Sequence, residues 1–203
     1  MRINVKKKDA IRLNDKEIEE VQTFPNLGAT MDKTGGTEAD IGRRLSLART
    51  AFASLAKVWK SARCSTKTKL KIFITNVLSV LLYCAEIWRT TENDDENLDT
   101  FHLKCLRRIL KIHWPEKISN QQLYERTRSI PLSSTIKRKR WRCIGHILRR
   151  EKKSHVRTGL TWTPEGKRRR GRPKNTWRRS VERKGKSWAG RVGKRGKLLP
   201  ITA

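Results

Sequence analysis

The sequence predicts a mainly α-helical protein with an N-terminal β-hairpin and a basic C-terminal tail. Three observations predict it. Apolar residues recur at helical spacing between Ile41 and Leu148. The apolar positions before Gly28 are parted by the turn-forming Asn14-Asp15-Lys16. Beyond Lys152 the apolar periodicity stops, and Pro, Gly, Lys and Arg dominate. The chain accordingly divides into residues 1–36, 37–152 and 153–203.

Residues 3–28 read as extended, with Ile11, Leu13, Ile18, Val21 and Phe24 as the apolar positions of a hairpin. Gly35-Gly36 breaks the chain, and Thr37 with Asp40 signals a helix start. The first helix is predicted over about 38–62, because Ile41, Leu45, Ala48, Phe52, Leu55 and Trp59 share one face. Ser65-Thr66 then cap a second helix over about 67–89. Its stretch 70–88 is apolar nearly all round, which predicts a central core helix. Lys71, Thr75, Asn76 and Glu86 interrupt it too often for a membrane span of about 20 apolar residues.

The acidic run 92–96 suits the positive end of a third helix dipole. That helix presents Leu98, Phe101, Cys105, Ile109 and Ile112 on one face and stops before Trp114-Pro115. Ser119 and Gln122 have the spacing of a capping box, so a fourth helix is predicted over 120–127. Ser133-Ser134 open a fifth, to about residue 152, with Ile136, Ile144, Ile147 and Leu148 as its narrow apolar stripe. Lys137, Arg138, Lys139, Arg140 and Arg142 are expected to surround that stripe. The tail has too little apolar surface to offset chain entropy and is expected to be mostly disordered until bound.

Charge points to the partner. Of 203 residues, 49 are Lys or Arg and 19 are Asp or Glu, a formal net charge of +30. Residues 1–100 carry 17 basic and 14 acidic side chains, residues 101–151 carry 14 and 3, and residues 152–203 carry 18 and 2. The front half is near neutral and the back half is built for a polyanion. RNA or DNA is the usual one, because neutralised phosphates release condensed counterions.

The sharpest local feature is Lys167-Arg168-Arg169-Arg170-Gly171-Arg172-Pro173-Lys174. Its Arg170-Gly171-Arg172-Pro173 core resembles an AT-hook, an arm that places arginines in a narrow minor groove. Generic phosphate binding by the same run is the favoured reading, since only four residues match. Trp177, beside Lys174, Arg178 and Arg179, is positioned to stack on an exposed base. Trp141 has the same option, but helical spacing to Ile144 favours an inward, core position.

Signals for catalysis are missing. There is no phosphate-cradling loop, serine elbow or H-E-x-x-H pattern. Cys64, Cys84, Cys105 and Cys143 form no C-x-x-C pair, and Cys143-x-x-His146 lacks a second half for a zinc site. No metal or cofactor is therefore expected. Asp94-Asp95 sits in a solvated helix start and reads as structural.

Several blocks, in order, resemble one family. They are Phe24-Pro25-Asn26-Leu27-Gly28, Ile41-Gly42-Arg43-Arg44 and Leu81-Leu82-Tyr83-Cys84-Ala85-Glu86-Ile87-Trp88. Further on stand Cys105-Leu106-Arg107-Arg108-Ile109-Leu110, Arg140-Trp141-Arg142-Cys143-Ile144-Gly145-His146-Ile147-Leu148-Arg149 and Arg170-Gly171-Arg172-Pro173 with Thr176-Trp177-Arg178-Arg179. Over about residues 11–183 the chain resembles the post-palm region of non-LTR (LINE-type) retrotransposon endonuclease/reverse transcriptases. Cys84 stands where that family usually has glycine, Ile87 where it has threonine, and Asn26 where it has an aromatic.

The resemblance implies the end of a palm at 1–36, a helical thumb at 37–152 and a nucleic-acid-binding tail. It implies that the metal-binding aspartates lie upstream of residue 1, so that this chain catalyses nothing by itself. The partners expected are template, primer or target nucleic acid and a separate palm or endonuclease portion, in the nucleus or a cytoplasmic ribonucleoprotein. The alternatives are a small chromatin-associated module using an AT-hook-like arm, or a retroelement relic without selected function.

Overall fold

The computed structural model describes residues 10–26, 28–33, 36–113, 115–151, 153–162 and 177–181. These fall in two compact units divided between Thr161 and Trp162. The protein is mainly helical, as the apolar spacing predicts.

The N-terminal segment holds two hairpins. In the first, Arg12–Leu13 (β1) pairs antiparallel with Lys16–Glu17 (β2). Asn14 and Asp15 turn the chain at φ 48° and 58°, a conformation that short polar side chains tolerate. The second pairs Thr23–Asn26 (β3) with Ala29–Asp32 (β4) around Gly28, at φ 83°. Its second strand lies beyond the predicted extended stretch: Ala29-Thr30-Met31-Asp32 does alternate apolar and polar residues, but it follows Gly28, where that stretch stops. Ile11, Leu13, Ile18 and Phe24 are all exposed, so β1 to β3 contribute little to the core.

The predicted first helix is two. Glu38–Ser54 (α1) buries Ile41, Leu45, Ala48 and Phe52, and the chain breaks at Leu55 before Ala56–Lys60 (α2). Across the break the Trp59 indole donates to the Phe52 carbonyl at 2.8 Å, and the two rings stack with centroids 5.0 Å apart. A side chain thus takes a carbonyl that a continuous helix would use.

The expected core helix over 67–89 is also subdivided. Ser65 accepts the Thr68 amide and opens Thr66–Ile72 (α3). A π-helical stretch, Phe73–Leu78, leads into the short Ser79–Leu81 (α4) and then a 3-10 turn at Ala85–Ile87. Side chains compete with the backbone ladder here. Thr75 donates to the Lys71 carbonyl at 3.0 Å, and Asn76 donates to the Ile72 carbonyl at 3.1 Å. Phe73, Val77 and Leu81 are buried, whereas Ile74 and Ile87 are more than half exposed. The all-round core helix is therefore corrected to a segment with one buried face.

Glu92–Leu110 (α5) opens on a capping box between Thr91 and Asp94 and buries Leu98, Phe101, Cys105 and Ile109. Asn120–Thr127 (α6) opens on the Ser119–Gln122 capping box that the sequence predicts. Leu132–Leu148 (α7) is capped from outside. The Asp99 carboxylate of α5 accepts from the Ser133 amide at 3.0 Å and from its hydroxyl at 2.7 Å. An aromatic chain, Trp59, Phe52, Phe73, His102 and Tyr124, ties α2, α1, the π-helical stretch, α5 and α6 together.

The region expected to be disordered contains helix. His155–Thr161 (α8) packs on α7, with Arg157 donating to the Leu148 and Arg150 carbonyls at 3.1 Å. Those bonds satisfy backbone acceptors at the end of α7, which the composition of the segment does not reveal. Residues 177–181 form one helical turn in the second unit. The rest of the disorder expectation lies outside the described residues.

Candidate nucleic-acid interface

Helix α7 sorts its basic run by helical angle. Leu132, Ile136, Arg140 and Ile144 follow one another at steps of four and are all buried. Arg140 is only 2% exposed. Its Nη2 donates to the Trp88 carbonyl at 2.6 Å and its Nε to the Glu86 carbonyl at 3.4 Å. Burial lowers its pKa, an effect that the Asp95 carboxylate partly offsets. Arg140 is thereby removed from the predicted contact set, because it faces the core and its guanidinium is already engaged.

The outward face is different. Arg138, Trp141, Arg142 and Arg149 are exposed. Their spacing of three, four and seven places them on one side of the helix. Trp141 is 40% exposed, which corrects the inward position favoured by spacing alone: Arg140 occupies that place instead. Lys137 is half-buried, and Lys139 is exposed but donates to the Leu82 carbonyl at 3.2 Å. Arg149 was missed, although it lies seven residues beyond Arg142. Gly145 makes room for it, since a Cβ there would stand 3.2 Å from the Arg149 guanidinium. No Asp or Glu occurs within α7.

Of the predicted tail contacts, Lys167, Arg168, Arg169, Arg170, Arg172 and Lys174 lie outside the described residues. Trp177, Arg178 and Arg179 share the single turn at 177–181, where Arg178 donates to the Trp162 carbonyl at 3.1 Å.

Behind the α7 face lies a buried polar node. Asp40 accepts the Trp88 indole N–H at 2.7 Å and the Thr30 amide at 2.9 Å. Arg44, one turn on, is 3.9 Å from the same carboxylate and sits 4.8 Å from the centre of the Tyr83 ring. It also donates to the carbonyls of Gly28 and of Val80, the latter at 3.3 Å. Arg43 reaches the Gly28 carbonyl at 3.3 Å. Residues from four separate sequence blocks, around Gly28, Arg44, Trp88 and Arg140, thus meet through Trp88 and Asp40. The node ties β3–β4 and Trp88 to α1, and Arg140 ties the middle of α7 to the Trp88 backbone, which makes it a scaffold for the outward face.

All four cysteines are free thiols. Burial pushes Cys105 up to about 12 and also raises Cys143, so neither is an activated nucleophile. Among the described residues no group of three His, Cys, Asp or Glu side chains could hold a metal ion. Asp94 serves the α5 cap, where its carboxylate accepts the Thr91 amide at 2.9 Å. Among the described residues no helix is long and apolar enough to cross a membrane.

Residues 51–83 match a family described as a domain of unknown function (DUF6451). That span runs from the end of α1 through the π-helical stretch to Tyr83. No curated protein and no solved structure matches the chain.

Proposed function

We propose that this chain binds RNA or DNA through phosphate contacts and has no catalytic role of its own. The functional analogy is with the thumb and basic tail of a LINE-type reverse transcriptase, which the ordered sequence blocks resemble. The observation that carries the reading is the outward face of α7. There Arg138, Arg142 and Arg149 flank an exposed Trp141, and the helix has no carboxylate to compete for them. Arginine forks suit phosphate oxygens, and an exposed indole suits a base face. The excess of basic residues continues into the tail, giving a second, sequence-tolerant set of contacts. A nuclear or ribonucleoprotein location follows from such a partner.

The test is the salt dependence of binding. The full chain should bind labelled duplex and single strands with an affinity that falls steeply with salt. Replacing Arg138, Arg142 and Arg149 together by alanine should flatten the log–log slope on duplex by about 0.9 per phosphate no longer neutralised. An unchanged slope would remove α7 from the interface. Primer extension by the purified chain with Mg²⁺, template and nucleotides would overturn the non-catalytic reading.

A further inference from the structure

A groove of about 530 Å³ lies beside the α7 face, and the proposed function does not use it. Its walls are apolar: Leu70, Phe73 and Leu78 on one side, Leu106 and Leu132 on another. Ile74 and Ile130 stand at it with 57% and 39% of their surface exposed. Arg128, Arg138 and Lys139 also line it, and no carboxylate does. Arg128 is the residue that ends α6, at φ 49°, in the left-handed conformation common at helix C-termini. The π-helical stretch Phe73–Leu78 supplies part of the wall, and such stretches concentrate at functional sites.

The second observation is a polar group without a partner. His102 lines the same groove, is 2% exposed, and its Nδ1 is buried with no hydrogen bond. A buried unbonded nitrogen costs stability unless a ligand or water supplies the missing partner. His102 is also held flat against Phe73, with centroids 5.8 Å apart and planes 17° from parallel, so its ring is fixed in orientation. Burial pushes its pKa down to about 4, against the opposing pull of Asp99. At neutral pH it is an uncharged imidazole with one donor and one acceptor.

From these features we infer that the groove seats an unpaired base of a single-stranded nucleic acid, whose flanking phosphates lie on Arg128 and Arg138. The inference rests on the nucleic-acid reading and deepens it. Charge complementarity selects the occupant: cations without carboxylates call for an anion, and apolar walls call for an uncharged face. An unstacked nucleotide has both, with a flat apolar body, a hydrogen-bonding edge and a charged backbone. Arg138 belongs to both the groove and the outward face of α7, so one strand can run from one to the other.

The experiment compares three labelled probes on the full chain by fluorescence anisotropy. They are a single strand of about twelve nucleotides, a fully abasic strand with the same phosphates, and a duplex. The abasic strand should bind about tenfold more weakly than its parent, the loss that forfeiting one stacked base brings. In Ile74→Asp, at an exposed position, that ratio should fall several-fold while duplex binding is retained, and any remainder should vanish with Trp141→Ala. His102→Phe keeps the ring stack and removes the nitrogens, and it should lower the ratio in the same way. Equal binding of parent and abasic strands would overturn the groove proposal and leave phosphate binding intact. A ratio that persists in both variants would place the base elsewhere and also overturn it. Binding of an acidic amphipathic peptide that Ile74→Asp abolishes, together with equal binding of parent and abasic strands, would show that the groove takes protein, not a base. Failure of all three probes to bind would remove the nucleic-acid reading itself.

Discussion

Arg140 and Arg142 stand two residues apart in one basic run, yet they do opposite work. Arg140 is turned into the core, where it donates to the carbonyls of Trp88 and Glu86. Arg142 faces solvent beside Arg138 and Arg149. The separation is geometric: two residues turn a helix by about 200°, so charges two positions apart fall on opposite faces. A run of like charge is therefore not one surface. Its inward member fixes the scaffold, and its outward members are free to meet a polyanion.

The largest effect should come from the inward member. Arg140→Ala removes a charged donor from two carbonyls and leaves a gap among Leu132, Ile136 and Ile144. We expect a loss of about 3 kcal/mol in urea unfolding, the scale for losing a charged hydrogen bond and exposing its partners. Arg142→Ala should change stability by less than about 0.5 kcal/mol. Arg140→Lys should not restore the loss, because a single ammonium lacks the fork that spans both acceptors. Equal, small effects at the two positions would dissolve the distinction.

His102 sharpens the comparison from the other direction, as an inward titratable group whose Nδ1 has no partner. Its pKa is pushed down to about 4 in the folded protein by burial, against an ordinary value of 6.5. Between these values the unfolded chain binds a proton that the folded protein does not. Stability attributable to His102 is thus complete above pH 6.5 and is lost as pH falls towards 4, by a total on the order of 3 kcal/mol. Measured as unfolding free energy against pH, His102→Phe should flatten this part of the curve relative to the parent. Parallel curves would show that His102 titrates normally.

Cys84 offers a smaller and opposite effect. It lies at φ 55° and ψ 21° between α4 and the 3-10 turn, where an L-residue is strained. Glycine adopts this conformation without the Cβ penalty. Cys84→Gly should raise stability by about 1 kcal/mol, read as a higher urea midpoint at unchanged m-value.

Local signals made much of the fold legible. The Ser119–Gln122 box and the Asn14-Asp15 turn depend on residues within a few positions, and the sequence displays them directly. The apolar stripe of α5 was legible for the same reason. What could not be read were bonds made at long range. Phe52 gives its carbonyl to an indole seven residues on, and Ser133 is capped by Asp99 from 34 residues away. Arg140 was misread because its acceptors are backbone carbonyls more than fifty residues earlier, which leave no mark in composition. Trp141 was misread with it, since the inward place that spacing assigned to the indole was taken by the guanidinium.

The smallest effect separates placed cations from an undifferentiated run. Arg138, Arg142 and Arg149 are set at helical spacing, whereas Arg170 and Arg172 stand in a basic string with only the four-residue core Arg170-Gly171-Arg172-Pro173 to give them shape. Charge alone would make their contribution independent of base composition. Arg170→Ala with Arg172→Ala should then weaken A·T-rich and G·C-rich duplexes equally, and lower the salt slope by about 0.9 for each phosphate the arginines would have neutralised. An AT-hook arm would instead lose A·T-rich binding selectively, because arginine in a narrow minor groove senses its width and potential. We expect the uniform loss, since the basic excess extends through the whole back half of the chain and four residues are a small part of it. A selective loss would transfer sequence preference to the tail and make it the reading arm. The α7 face would then supply affinity without discrimination.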